Sequence, residues 1–300
     1  MTILRVRHIT SYTYKRPVGF GEHRILFRPR EGHDQRLLHS ELAISPTPSE
    51  LFWIHDVFNN SVAVARFSAQ ATELRFEANF TVEQVPQQLP QVRTRRKALT
   101  WPFAYDEEDL PDLEPSTRRH YPDENGEVEK WARRFVKPDG KTRTGHLLMT
   151  MTMAIKESFN YSRRTDPGTQ SPIVTLNTGT GTCRDFALLM IEAVRSLGFA
   201  ARFVTGYVFV PSRGRSTNLG GGSTHAWAQV YLPGAGWVEF DPTNGIIGTR
   251  DLIRVGIARD PRQAIPLYGT YAGRRDDWLG MNVQVNVTTG DPADELPAPA

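Results

Sequence analysis

The rhythm of hydrophobic and polar positions changes once along this chain. Up to about residue 85 the segments are short, rich in β-branched and aromatic side chains, and bounded by turn residues: Ile3 to Tyr14, Leu37 to Ser45, Leu51 to Phe58, Ser61 to Ser68 and Leu74 to Val85. Such segments, with Pro46-Thr47-Pro48 and Asn59-Asn60 between them, predict antiparallel strands of a small sandwich or barrel. Asparagine tolerates positive φ, so Asn59-Asn60 predicts a hairpin turn. After Asp123 the period becomes helical. Val128, Trp131, Ala132, Phe135 and Val136 form one stripe, stopped by Pro138-Asp139-Gly140; Leu147, Leu148, Met151, Ile155 and Phe159 form a second over His146 to Phe159. A third helix is predicted from Cys183 to Leu197, with Phe186, Leu189, Met190, Ala193, Val194 and Leu197 at three-and-four spacing and Gly198 as the residue that ends it.

Between these regions the proline-rich stretch Pro86 to Tyr121 reads as a linker and irregular chain, and Tyr161 to Thr182 as a long polar loop of the kind that often carries function. The organisation expected is therefore α+β: a β-rich N-terminal domain over 1–90, a linker and irregular segment over 91–122, a core over 123–289 and a disordered tail over 290–300.

Composition narrows the possible classes. Lysine and arginine number 36 against 33 acids, and the basic clusters Arg95-Arg96-Lys97, Arg118-Arg119 and Arg133-Arg134 are dispersed among acids, so no nucleic-acid partner is expected. No apolar run approaches the ~20 residues of a membrane span, and the first residues lack a signal-peptide core, which predicts a cytoplasmic protein with no membrane partner. A lone cysteine excludes an intramolecular disulfide and a Cys-rich zinc site, in keeping with a reducing compartment. The histidines His8, His23, His33, His39 and His55 lack ligand spacing and read as packed or solvated; no metal or cofactor is expected.

That leaves the single cysteine to be explained. Cys183 stands at the first position of its helix, in register with the inward stripe, after Gly179-Thr180-Gly181-Thr182. A helix N-terminus carries partial positive charge and unpaired N–H groups, which favour a thiolate and can serve a developing oxyanion. Thr182 is a candidate N-cap, and Asp185 reads as a residue complementing the helix dipole rather than a catalytic one. Taken alone, Cys183 is equally a small buried hydrophobe.

The segment THAWAQVYLPGAGWVEFDPT, Thr224 to Thr243, adds the partners. On its first strand His225, Trp227, Gln229 and Tyr231 share one parity; on its second Trp237, Glu239 and Asp241 do. Stacking the small apolar rows together requires an odd-length connection, and a five-residue loop, Leu232 to Gly236, pairs Tyr231 with Trp237. Trp227 then faces Asp241, and His225 lies diagonally on the same face, about 7 to 8 Å away between backbones, so a carboxylate can reach an imidazole. A thiol, an imidazole and a buried acid together allow nucleophilic catalysis: the imidazole activates the sulfur and the acid fixes the tautomer.

The stretches GTGTCRDFALLMIEAVRSLGFAARFVTGYVFVP and GGGSTHAWAQVYLPGAGWVEFDPTNG resemble the transglutaminase-like superfamily, specifically its bacterial two-domain members with a β-rich N-terminal domain. The resemblance implies an antiparallel sandwich-like first domain and a papain-like core in which a cysteine-bearing helix packs on an antiparallel sheet carrying the histidine and the acid. It implies Cys183 as nucleophile, His225 as base and Asp241 as orienting acid. Gln229 departs from the pattern, since relatives often carry an acid there, and this bears on substrate preference. The activity expected is acyl transfer at an amide of a peptide or protein substrate through a thioester. Hydrolysis is favoured, and transfer to a primary amine is the alternative. A non-catalytic binding scaffold is the reading from another class, and a metalloenzyme is a weaker one. Oligomeric state is not legible.

Overall fold

The computed structural model describes residues 1–85, 93–162, 164, 168–209 and 222–290. The N-terminal strands are β1 (Thr2–Phe20), β2 (His23–Ile25), β3 (Gln35–Ser45), β4 (Glu50–His55), β5 (Ser61–Arg66) and β6 (Gln70–Gln84). They divide between two antiparallel sheets, one containing β1, β6 and β3 and the other β2, β5 and β4. Tyr14, Phe20, Ile25, Phe27, Ala63, Ala65, Leu74 and Phe76 fill the space between the sheets, which makes this region the expected sandwich. Asn59 takes the left-handed conformation (φ 59°) that the Asn-Asn pair predicts for the turn into β5.

The core is α+β. Helices α1 (Leu110–Thr117), α2 (Glu127–Arg133), α3 (Thr144–Ser158), α4 (Pro172–Thr178) and α5 (Cys183–Ser196) precede or surround a five-stranded sheet. Its strands are β7 (Ala201–Val208), β8 (His225–Leu232), β9 (Gly236–Asp241), β10 (Ile246–Ile247) and β11 (Leu252–Ala258), in the spatial order β10-β9-β8-β7-β11. Helix α5 is buried along almost its whole length, because its apolar stripe meets Ala226, Ala228 and Val230 of β8 on one side and Leu147, Met151 and Ile155 of α3 on another. Cys183 is thereby carried into the interior at the helix start.

Three segments differ from the sequence expectation. The stretch Tyr161 to Thr182 is not simply a loop: Ser171 caps α4, its side chain accepting from Val174 N–H, and Pro172 occupies the first helical turn. The irregular segment after residue 91 contains α1 and is fastened to the core. Trp101 Nε1 donates to the Leu197 carbonyl at 2.8 Å, and Tyr105 Oη accepts from Ala200 N–H at 2.8 Å. The last strand, β12 (Trp278–Thr289), expected in the core, pairs antiparallel with β1 along nearly its full length, from Leu4 opposite Thr289 to Tyr14 opposite Trp278. The chain thus returns to close the N-terminal sheet. All of the expected tail 290–300 but Gly290, and residues 86–92 at the start of the expected proline-rich linker, lie outside the described residues.

The outer edge of the core sheet is met by side chains rather than by another strand. Strand β11 lies at that edge. Asn60 donates through Nδ2 to the Ile257 carbonyl (2.7 Å) and accepts from Ile257 N–H at Oδ1 (2.9 Å). Gln35 does the same for Arg254 (2.9 Å in each direction), and Gln84 Nε2 donates to the Leu252 carbonyl at 2.6 Å. Each primary amide presents the donor and acceptor pattern of a peptide unit, so the N-terminal sandwich satisfies backbone groups that an edge strand otherwise leaves unpaired. Beside them the Arg254 guanidinium bridges Asp34 of the sandwich (Nη1 to Oδ2, 2.9 Å) and Glu239 of β9 (Nη1 to Oε1, 2.8 Å).

Candidate active site

The hairpin that carries His225 and Asp241 has the register its parity predicts. Tyr231 faces Trp237, Val230 faces Val238, Gln229 faces Glu239 and Ala228 faces Phe240. The connection is tighter than expected: Leu232 and Gly236 also pair, leaving Pro233 to Ala235 as the turn, closed by Ala235 N–H to the Leu232 carbonyl at 2.9 Å. The register is unchanged by this, because one further pair was added at the turn without shifting the others.

The diagonal contact forms. His225 Nε2 lies 2.8 Å from Asp241 Oδ2, with both side chains fully buried. Asp241 is itself held: Oδ1 accepts from the backbone N–H of Thr243 (2.9 Å) and of Asn244 (3.3 Å), and Oδ2 accepts from Asn244 Nδ2 (2.8 Å). Asn244 Nδ2 is also 3.3 Å from His225 Nε2. Sequence reasoning missed Asn244. The signal was present in Asp241-Pro242-Thr243-Asn244-Gly245, where an aspartate beginning a turn accepts from N–H groups two and three residues on.

The other imidazole nitrogen behaves differently. Among the described residues, the buried Nδ1 of His225 makes no hydrogen bond of ordinary geometry. The Trp227 indole stacks on the imidazole at 6.0 Å between centroids, 30° from parallel. Trp227 comes this close to the sheet because the residue beneath it is Gly206: a Cβ there would stand 2.0 Å from the Ile253 carbonyl oxygen and 2.9 Å from Trp227 Cη2.

Burial works against a charged imidazole at this position, but the Asp241 carboxylate, by Coulomb attraction and hydrogen bond, and Cys183 together outweigh it. The outcome is a His225 pushed up to about 10. The cysteine and histidine predicted from separate motifs stand on elements packed directly against each other, α5 on β8. At the start of α5 the half-buried Arg184 places its guanidinium against Phe203, 4.8 Å from the ring, and donates to the Pro261 carbonyl at 2.7 Å. Burial pushes Arg184 down, and its attraction to Cys183 and Asp185 opposes that. A positive charge thus adjoins the sulfur in addition to the helix dipole.

Asp185 stands in the first turn of α5, as the dipole reading expects, and does more. Its carboxylate accepts from Thr182 N–H at 2.8 Å and Thr182 Oγ1 at 2.9 Å, fixing the entry into α5. It also accepts from Gln170 N–H at 2.7 Å and Arg164 Nη2 at 3.1 Å, fastening the preceding segment to the helix that bears Cys183. Cys183, His225 and Asp241 are all buried. Gln229 lies farther along the same face as His225. It donates to Glu239 Oε1 at 2.6 Å and accepts from Arg202 Nε at 2.7 Å.

Two family models match the chain in the order the sequence suggested: the bacterial transglutaminase-like N-terminal region over residues 4–83, and the transglutaminase-like superfamily core over residues 129–242, which includes Cys183, His225 and Asp241. The chain belongs to the transglutaminase-like superfamily.

Other members align over nearly its whole length. An uncharacterized protein of Mycobacterium leprae is 27% identical over 286 residues, covering 94% of this chain and 98% of that one. A second, from Mycobacterium tuberculosis, is 28% identical over 310 residues, covering 96% and 93%. Among solved structures, one from Cytophaga hutchinsonii, described as a candidate cysteine protease, superposes with a TM-score of 0.69 at 19% identity, covering 97% of this chain and 91% of its own. At that identity the likeness establishes a shared fold, sandwich and transglutaminase-like core together.

Proposed function

We propose that this transglutaminase-like chain is a cysteine-dependent enzyme acting on amide bonds of peptides or proteins, with hydrolysis as its reaction. The observation that carries the reading is the division of labour on one buried ring: Nε2 of His225 is engaged by Asp241, while Nδ1 makes no hydrogen bond of ordinary geometry among the described residues and Cys183 favours the charged ring. An orienting acid on one nitrogen and a thiol served by the other is the arrangement nucleophilic catalysis requires.

The roles follow. Cys183 Sγ, as thiolate, attacks the amide carbonyl carbon, and the carbonyl electrons move to oxygen. The backbone N–H of Cys183, at the first helical position where no intrahelical acceptor exists, is placed to donate to that oxyanion. On collapse the C–N bond breaks, the leaving amine takes the proton from His225, and a thioester remains on Cys183. Water then attacks the thioester, giving its proton to His225, and the carboxylic acid departs with the thiolate restored. Asp241 holds the ring in the tautomer that keeps the second nitrogen toward the sulfur, and Asn244 holds Asp241.

Hydrolysis is preferred because water needs no binding site of its own, whereas transfer to an amine requires a second channel that seats the acceptor against the thioester. Two measurements test the reading. Iodoacetamide at pH 6 is expected to alkylate Cys183 much faster than a free thiol; an ordinary rate would refute the thiolate–imidazolium pair. Incubation with a glutamine-containing protein and a labelled primary amine is expected to release new termini or ammonia without incorporation of label. Incorporation would replace hydrolysis by transglutamination.

A further inference from the structure

At the turn end of the β8–β9 hairpin, about 20 Å from His225 at ~3.3 Å per residue, a cavity of about 410 Å³ is lined by Arg202, Arg259, Asp109, Asp112, Tyr231 and Trp237 among others. Its two arginines differ from Arg254 and Arg195. Arg254 is met by two carboxylates, and Arg195 by buried Glu192 at 2.8 Å. Among the described residues Arg202 makes one hydrogen bond, from Nε to the neutral Gln229 Oε1, and its guanidinium carbon lies over the Trp237 ring, 4.0 Å from the centroid. Arg259 has a buried Nε with no partner. Neither has a carboxylate within ion-pairing distance among the described residues.

A half-buried guanidinium with no counter-ion is costly to the fold. Burial, with Arg30 and Arg254 nearby, pushes Arg202 down to about 9 even though Glu239 opposes this. Gln229 is the position at which the family resemblance led us to expect an acid, and an amide there leaves Arg202 hydrogen-bonded but uncompensated. The cavity supplies the complementary half as well. Asp109 accepts from Tyr231 Oη at 3.3 Å, and Asp112 is exposed on the first turn of α1 with no partner among the described residues.

We propose that this cavity binds a small zwitterion, a free amino acid or a dipeptide, its carboxylate received by Arg202 and Arg259 and its ammonium by Asp109 and Asp112, against the Trp237 and Tyr231 rings. Planar guanidinium pairs suit a carboxylate, and the Trp237 ring beneath the guanidinium restrains Arg202 before the ligand arrives. The site is separate from Cys183, and the inference stands whether or not the proposed reaction does.

The test is calorimetric titration of the full chain carrying Cys183→Ala with L-alanine, alanyl-alanine and acetate, the first two distinguishing a free amino acid from a dipeptide. One saturable site is expected for at least one zwitterion, with acetate at least tenfold weaker. Arg202→Met and Gln229→Glu, the latter supplying the missing carboxylate in cis, are each expected to weaken binding at least tenfold. Asp112→Asn, a surface change that the fold should tolerate, is expected to weaken the zwitterion and leave acetate unaffected. Absence of saturable binding, or binding insensitive to Gln229→Glu and Asp112→Asn, would overturn the assignment. Acetate binding as tightly as the zwitterions would overturn its ammonium half.

Discussion

His225 Nε2 and Asp241 Oδ2 lie 2.8 Å apart although they are diagonal, not directly opposite, across the β8–β9 hairpin, and Asn244 Nδ2 donates to the same carboxylate oxygen at 2.8 Å. The carboxylate therefore serves the imidazole from a position fixed by three other donors. Replacing it should harm orientation more than folding.

Asp241→Asn is expected to keep the fold and reduce turnover of a peptide amide by about 10³- to 10⁴-fold, because an amide no longer selects the imidazole tautomer. Asn244→Ala removes a hydrogen bond to a charged acceptor and should cost about 10- to 100-fold. Steady-state kinetics of both variants checks the order. Equal losses would mean that Asp241 acts only as a turn residue.

The proton on His225 should persist well above neutrality. Its folded value, about 10, exceeds the ordinary 6.5, so the stability it contributes is complete below pH 6.5 and is lost as the pH rises through about 10. In ¹⁵N-histidine NMR the His225 signals should remain those of an imidazolium at pH 8, and Asp241→Asn should move the transition downward. A native titration near 6.5 would contradict the pairing with Asp241 and Cys183.

Gly206→Ala should damage structure and activity together. The added Cβ would meet the Ile253 carbonyl at 2.0 Å, which is backbone and cannot swing aside, and would press on the indole that stacks against His225. A loss of roughly 1–3 kcal/mol is expected, seen in urea denaturation, with a fall in turnover of the surviving folded fraction. Unchanged kinetics in that fraction would separate Trp227 from the chemistry.

Asn60→Ala tests the closure of the sheet edge. It leaves the buried N–H and carbonyl of Ile257 without the partners that Asn60 supplies and should destabilise by about 1–3 kcal/mol. Asn60→Asp keeps the acceptor but sets a buried carboxylate against Asp56 Oδ2, to which the amide donates at 2.8 Å, and should destabilise at least as much. Chemical denaturation of the two variants reads the difference directly.

The active hairpin was legible because parity in a strand is strict: once the apolar rows are stacked, the register that pairs Tyr231 with Trp237 also brings His225 and Asp241 onto one face. Helix α5 was legible for a similar reason, its stripe and its capping residues agreeing on where Cys183 stands. What the sequence hid was nonlocal or short. Strand β12, WLGMNVQVNVTT, alternates as a strand should, but nothing in its local pattern names β1 as its partner across the whole chain. Helix α4 spans Pro172–Thr178, too few residues to develop an apolar stripe, and only its Ser-Pro start betrays it. The sequence singled out Gln229 but not its partners: the fold sets Gln229 between Arg202 and Glu239, and Arg254 between Asp34 and Glu239.

The side-chain closure of β11 bears on how freely this architecture can be rearranged. By sequence the core is a portable module, recognisable without the sandwich. By its hydrogen bonds it is not, since Gln35, Asn60 and Gln84 complete the last strand of the core sheet from the outside. A chimaera that supplies a foreign sandwich must bring matching amides to those three places, or it will present an open strand to its neighbours and assemble with copies of itself instead of standing alone.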